Sequence, residues 1–360
     1  MNENMQSQLQ VAPPQLPPSL RPSKVFDTYW RFAAERQEIF FRRLAGAAPP
    51  WTDDPVLREH RFTNAYRASD RVSQYLIKRV IYAGDQNPDE LLFRILVFKM
   101  FNRIETWELL EESLGGISLA AYDFDRYDSV LTSAMAAGAR IYSAAYIMPS
   151  GGRKGDGRKH RDHLRLIELM MRDSLATQLQ RCKSMQQGFQ ILKAYPMVGD
   201  FLAYQFITDI NYSTLTDFSE MEFTIPGPGA KDGIHKCFES IGGGSPRDII
   251  GMMADIQDQQ FGRLGLRFRS LWGRPLQLID CQSLFCEVSK YARCAHPDVR
   301  GLASRTRIKQ KYRMAPRPLS SWYPPKWNIN HLLPTGENPI NLKRAPGHGG
   351  THQHDCDQIP

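Results

Sequence analysis

No stretch of eighteen consecutive apolar residues occurs in this 360-residue chain, which leaves no segment able to cross a bilayer as a helix. The Gln- and Pro-rich stretch from Met1 to Arg21 lacks the charged-then-apolar order of a secretion signal, so a soluble, cytoplasmic protein is expected. Cysteine is sparse. Six residues (Cys182, Cys237, Cys281, Cys286, Cys294 and Cys356) without a Cys-x-x-Cys pair exclude a disulfide framework and point to reduced, packing thiols. Cys281, Cys286, Cys294 and His296 are too irregularly spaced for zinc, and His348, His352, His354 and Cys356 lie in a Gly-rich tail, so neither a metal nor a cofactor is assigned. A Gly-x-x-x-x-Gly-Lys-Ser/Thr run is missing as well, which excludes a P-loop and with it ATP-dependent phosphorylation by this polypeptide alone. Alternating β-branched runs are scarce too. With Phe223-Thr-Ile225 as the one candidate strand, the chain is expected to be all-α or nearly so.

A hydrophobic content of 42% supports a substantial core, enough for one large or two modest domains. The net charge of +8 suits a polyanionic partner. Its distribution says more: between Arg300 and Lys326 stand eight Lys/Arg residues and no acid. Arg305, Arg307, Lys309, Lys311 and Arg313 can neutralise phosphates, while Trp322, with Tyr312, Tyr323 and Trp327, offers rings for unstacked bases. A second basic run, Arg153 to Arg161, sits on a Gly-rich stretch and reads as a mobile loop or a phosphate clamp.

Residues 1–24 are expected to be a disordered Pro/Gln-rich arm, 25–315 the helical domain, and 316–360 an irregular tail whose prolines forbid long helices. Helices are predicted over Phe26–Leu44, Leu91–Arg103 behind the Asn87-Pro-Asp-Glu start signal, Thr106–Leu114, Asp125–Tyr146 and His163–Met185. Others are predicted up to Lys193, through Ile210, and over Gly233–Ser240, Pro246–Gln260 and Ser283–Ala292.

The segment from Arg61 to Leu76 reads as one helix with two faces. Ala65, Ala68, Val72, Leu76 and Val80 form an apolar stripe, and Asn64, Arg67, Arg71, Gln74 and Lys78 repeat the same steps on another side. A solvated surface, with Asp70 as internal neutraliser, is the plain interpretation of that second face. The block also resembles the opening motif of the helical domain of 5-hydroxymethyluracil DNA kinases and α-glutamyl/putrescinyl-thymine pyrophosphorylases, proteins of DNA base hypermodification. Three further blocks carry the resemblance: Leu192–Ser213, Pro226–Lys236 and Ile279–Arg293. Together they span about Phe26 to Arg313.

That resemblance implies DNA bearing a modified pyrimidine as partner and a separate kinase to activate the base. In the implied chemistry, pyrophosphate leaves the 5-methylene of a modified uracil as a nucleophile attacks. Cations stabilise the departing anion and a carboxylate takes the nucleophile's proton. Asn64, Arg67, Arg71, Gln74, Lys231, Lys290 and Arg293 are candidates for binding substrate or phosphate, and Asp70, Asp209 and Glu287 for the carboxylate. The turn Tyr195-Pro-Met-Val-Gly199 resembles the helix-hairpin-helix of DNA glycosylases with Met197 in place of the first glycine, and an ordinary αα corner is its alternative. Gly227 and Gly229 would let a phosphate approach the backbone, or merely join two elements. A glycosylase that releases a modified base, and a non-catalytic module that binds modified DNA and recruits a kinase, stand as alternatives to the transferase.

Overall fold

The computed structural model describes residues 13, 15–144, 148–151, 158–314 and 320–334. Strand β1 (Leu20–Pro22) leads into α1 (Lys24–Leu44), which starts where the Ser23 hydroxyl oxygen accepts the Val25 N–H. Asp54 caps the short α2 (Pro55–Glu59) in the same way. After an extended stretch come α3 (Arg71–Tyr75) and a π-helical turn over Leu76–Ile81, then α4 (Pro88–Phe101), capped by Asn87 with Pro88 in its first turn. Helix α5 (Ile104–Leu114) stops at Gly115, whose φ of 75° lies in the left-handed region that glycine adopts freely. Then follow α6 (Phe124–Ala136), α7 (Lys159–Arg172), α8 (Leu175–Arg181), α9 (Met185–Lys193), α10 (Asp200–Ile210) and α11 (Pro228–Cys237). Strand β2 (Phe238–Ile241), α12 (Pro246–Asp255), α13 (Gln257–Arg263) and α14 (Leu278–Ala295) complete the order.

Two helices organise the rest. Every residue of α4 from Leu91 to Phe101 is buried, and α5, α7, α8, α10 and the π turn surround it. Helix α14 is the other hub, packed by α1, α2, α11 and α12. Helix α10 reaches α4, and one continuous apolar core joins the two halves. The closest approach is between α11 and α14. A Cβ on Gly233 would stand 2.0 Å from the Phe285 carbonyl oxygen and 2.6 Å from its carbon. Because that neighbour is backbone and cannot rotate away, Gly233→Ala is expected to cost ~2–3 kcal/mol, read as a lowered Tm. A Tm equal to wild type would contradict the packing.

The all-α expectation holds: among the described residues the β structure is a two-stranded antiparallel ribbon, β1 with β2, plus isolated bridges. Its location differs from the expectation. Phe223, Thr224 and Ile225 are coil, with Phe223 and Thr224 buried, and pairing falls instead on Leu20–Pro22 and Phe238–Ile241. The N-terminal arm expected to be disordered to residue 24 is therefore in regular structure from Leu20. Two predicted helices are broken. Ser174, at φ 53°, separates α7 from α8, and Ile256 separates α12 from α13. The helix predicted to reach Tyr146 ends at Ala136, with Gly138 at φ 81° just beyond. Residues 320–334 pack on the core, where Tyr323 is fully buried and its hydroxyl lies 2.8 Å from Ser69 Oγ. No helix among the described residues is long and apolar enough to cross a membrane. The segment 152–157 of the second basic run and the histidines of the tail, His348, His352 and His354, lie outside the described residues.

Candidate functional site

The segment read as one amphipathic helix is helical only from Arg71. Residues up to Tyr66 are loop, Arg67–Ser69 form a 3-10 turn, and Asp70 is extended. Short polar side chains explain the difference, because they offer the backbone partners that compete with a helical ladder. Asp70 Oδ1 accepts the Asn64 N–H at 2.7 Å, and Asn64 Nδ2 donates to the Ser69 carbonyl at 2.6 Å, which closes the loop on itself. The buried Gln74 side chain donates to the Ala68 carbonyl at 2.7 Å and accepts the Trp322 N–H at 2.8 Å. Gln74 therefore holds the C-terminal segment and is not presented to a substrate.

Arg67 points inward. Its guanidinium reaches both oxygens of Asp209, at 2.9 and 3.1 Å, and Lys99 Nζ lies 2.5 Å from Asp209 Oδ2 and 3.0 Å from Asn102 Oδ1. The Arg67 backbone N–H donates at 2.8 Å to Asp280, whose other oxygen accepts the Gln277 N–H at the head of α14. One arginine thus ties the loop, α4, α10 and α14 together. Burial would raise the Asp209 carboxyl, but the Arg67 and Lys99 cations outweigh it and hold the group below 3.8. Asp209, expected as a candidate proton acceptor, is only 1% exposed and neutralises two buried cations.

Asp70 and Glu287 form a second, more open cluster. Burial pushes the half-buried Asp70 carboxyl up to about 7, against the Asn64 N–H and the Arg36 guanidinium, with the Glu287 charge adding to the rise. No ion pair within 4 Å engages Asp70 among the described residues. Glu287 accepts the Thr63 N–H at 3.0 Å and the Lys290 ammonium at 2.7 Å, while Lys290 also donates to the Arg61 carbonyl at 2.8 Å. The carboxylates of Asp70 and Glu287 therefore grip consecutive amides of the motif loop. Arg71 is exposed at the loop's end, 3.7 Å from Glu105.

The predicted phosphate-binding set is dispersed. Gly199 caps α10 and Gly227 caps α11. A Cβ on Gly227 would lie 3.0 Å from the Phe201 ring and one on Gly229 2.9 Å from Cys286 Sγ, so these glycines permit close packing there. Met197 takes φ 63° in the turn before α10, a left-handed conformation that glycine adopts more readily. Lys231 is exposed, and Asp232 beside it in α11 accepts the Ala303 N–H at 2.8 Å. Arg293 donates to the Arg307 carbonyl at 3.3 Å. In the basic segment, Arg305, Arg307, Lys309, Lys311 and Arg313 are exposed, and Lys311 pairs with Glu59. Trp322 is not available to a base, which corrects that expectation: it is 5% exposed and sits edge-on to Tyr82 at 4.9 Å.

Lys99, Asp280 and Arg36 are central here and were absent from the predicted set. Lys99 carried a readable signal, a charge inside the apolar run Leu91–Phe101, since such a charge needs a partner. Asp280 and Arg36 lie in ordinary amphipathic patterns and carried none.

A family model described as the helical domain of 5-hmdU DNA kinase matches residues 23–301. A 5-hmdU DNA kinase of Bacillus phage SP10 is 28% identical over 288 residues, 74% of this chain and 45% of that protein, so the chain spans about half the length of the curated relative it matches. No solved structure matches. The matched region contains the motif loop, Asp70, the Arg67–Asp209–Lys99 network and Glu287 alike, and the chain belongs to the family of the 5-hmdU DNA kinase helical domain.

Proposed function

We propose that this chain acts on a modified pyrimidine in DNA, as a transferase of base hypermodification whose proton acceptor is Asp70. The observation that carries the reading is a half-buried carboxyl pushed up to about 7, under the influence of the Arg36 and Glu287 charges, on a loop inside the family-matched region. A group of this acidity changes protonation near neutral pH, as proton transfer during turnover requires. In the proposed step an amine attacks the 5-methylene carbon of the activated base, so that a C–N bond forms as the C–O bond to pyrophosphate breaks. The leaving pyrophosphate carries away the bonding electron pair, and the proton of the new ammonium passes to Asp70. Arg71 and Lys231, exposed cations, are the candidates to receive the pyrophosphate. A separate kinase would supply the activated base.

Nucleosides from DNA co-expressed with this chain and its genomic neighbours provide the test, read by mass. A new 5-substituted pyrimidine that disappears with Asp70→Asn is the expected result. Release of free base and abasic sites would favour a glycosylase instead. Tight, salt-sensitive DNA binding without any mass change would favour a module that recruits the kinase.

A further inference from the structure

Consecutive residues of the motif loop, Arg61 to Asn64, are each held by a different charged side chain. Lys290 Nζ donates to the Arg61 carbonyl at 2.8 Å and the Arg36 guanidinium to the Phe62 carbonyl at 3.5 Å. Glu287 accepts the Thr63 N–H at 3.0 Å and Asp70 the Asn64 N–H at 2.7 Å. Cations take the carbonyls and carboxylates take the amides. Arg36 reaches the loop from α1 and Glu287 and Lys290 from α14, whereas Asp70 is carried by the loop itself.

Glu287 does more than accept an amide. The same oxygen, Oε2, takes the Thr63 N–H and the Lys290 ammonium, the latter at 2.7 Å. The side chains of this pair are 13% and 14% exposed, so solvent and salt screen their fields far less than on an open surface. The groups that face Asp70 can be named element by element. Burial pushes its carboxyl up to about 7, the Asn64 N–H and the Arg36 cation oppose the rise, the Glu287 charge adds to it, and Arg67 on the same loop opposes it. The Tyr323 hydroxyl, facing Asp70 from residues 320–334, is neutral because burial holds its proton. Glu287 is thus the acid whose charge acts on Asp70, and Lys290 lies against that acid.

Neutral groups could hold such a loop equally well, and sheltered charges carry a desolvation cost. What charges add is a field on their neighbours. We propose that Glu287 and Lys290 are positioning residues for Asp70: from α14 they fix the loop that carries it and govern how readily it takes a proton, Glu287 promoting uptake and Lys290 restraining it. Neither touches substrate in this role. Its use in turnover rests on the reading of Asp70 as proton acceptor; the charge array does not.

The carboxyl resonance of Asp70 tests it on the full chain, with isotope-labelled aspartate and assignment by its loss in Asp70→Asn. Glu287→Gln keeps an oxygen for the Thr63 N–H but removes the charge, and is expected to bring the protonation midpoint below about 7. Lys290→Met leaves the Glu287 charge uncompensated and is expected to raise the midpoint, while Lys290→Arg restores the cation and the wild-type value. A merely structural role predicts another pattern. A loosened loop would admit water in both variants, and both midpoints would fall towards the ordinary carboxylate value. A midpoint unmoved or raised in Glu287→Gln, or one not raised in Lys290→Met, would overturn the assignment. Glu287→Gln preserves the hydrogen bond and decides the matter alone if Lys290→Met does not fold.

The two readings fail separately. Opposite shifts in the two variants with no mass change in cellular DNA would retain the charge array and discard the transferase. Modified DNA whose Asp70-dependent pH limb is moved by neither variant would do the reverse.

Discussion

Asp209→Asn is expected to unfold this protein more readily than any surface substitution, with a loss of ~3–5 kcal/mol, because it strands two buried cations in a space shut off from water. Arg67 and Lys99 both lean on this carboxylate, and their side chains are 9% and 4% exposed. Asparagine preserves shape but removes the charge that neutralises them. Urea titration gives the free energy directly, and an unchanged midpoint would show that the network is not closed. The pH dependence has a definite sign. Since the folded-state carboxyl lies below its ordinary 3.8, its contribution is present above that value and is lost as pH falls through the depressed folded value. The variant should therefore show a flatter loss of stability in that acid range than wild type. Any fall in product formation should track the folded fraction and not a change in chemistry.

Asp70→Asn is expected to behave in the opposite manner, keeping the fold while lowering turnover by roughly 100-fold or more. Wild-type activity should rise with pH through about 7 as Asp70 ionises, and the variant should lose that limb. Stability again separates the roles. The folded chain holds the Asp70 proton up to about 7, whereas an unfolded carboxyl releases it near 3.8, so folding is favoured at the acid end of this window and stability declines as pH rises across it. The Asp70→Asn substitution removes this group's share of that decline; Asp280, also pushed up to about 7, retains its own. A variant that keeps the activity limb near neutral pH would exclude Asp70 as the proton acceptor.

Much of the helical framework was legible from short-range chemistry. Asn87-Pro-Asp-Glu announced α4, and Gly115 marked the end of α5, because caps and stops depend on a few adjacent residues. The breaks at Ser174 and Ile256 were not legible, since neither residue type forbids a helix and tertiary packing turned the chain there. The motif loop was misread for a related reason. Its apolar spacing fits a helix, but the hydrogen bonds from Asn64 to Asp70 and from Asn64 to Ser69 outcompete the helical ladder.

At the site, Asp209 could be singled out as an acid among apolar neighbours, and Lys99 carried the matching signal on α4. What each one met could not be known, because residues 67, 99 and 209 lie far apart along the chain and are joined by packing of α4 and α10. Trp322 shows the same limit: its basic, aromatic surroundings suited a stacking platform, yet the side chain is buried beside Tyr82.

Composition, spacing and local caps determined that this chain is helical, and four blocks from the motif loop to α14 carried its resemblance to the family. Tertiary structure alone decided which charges are closed into the core and which stay partly exposed. Desolvation depends on what the rest of the chain places around a group, and it separates Asp209, locked between cations, from Asp70, free to titrate near neutrality.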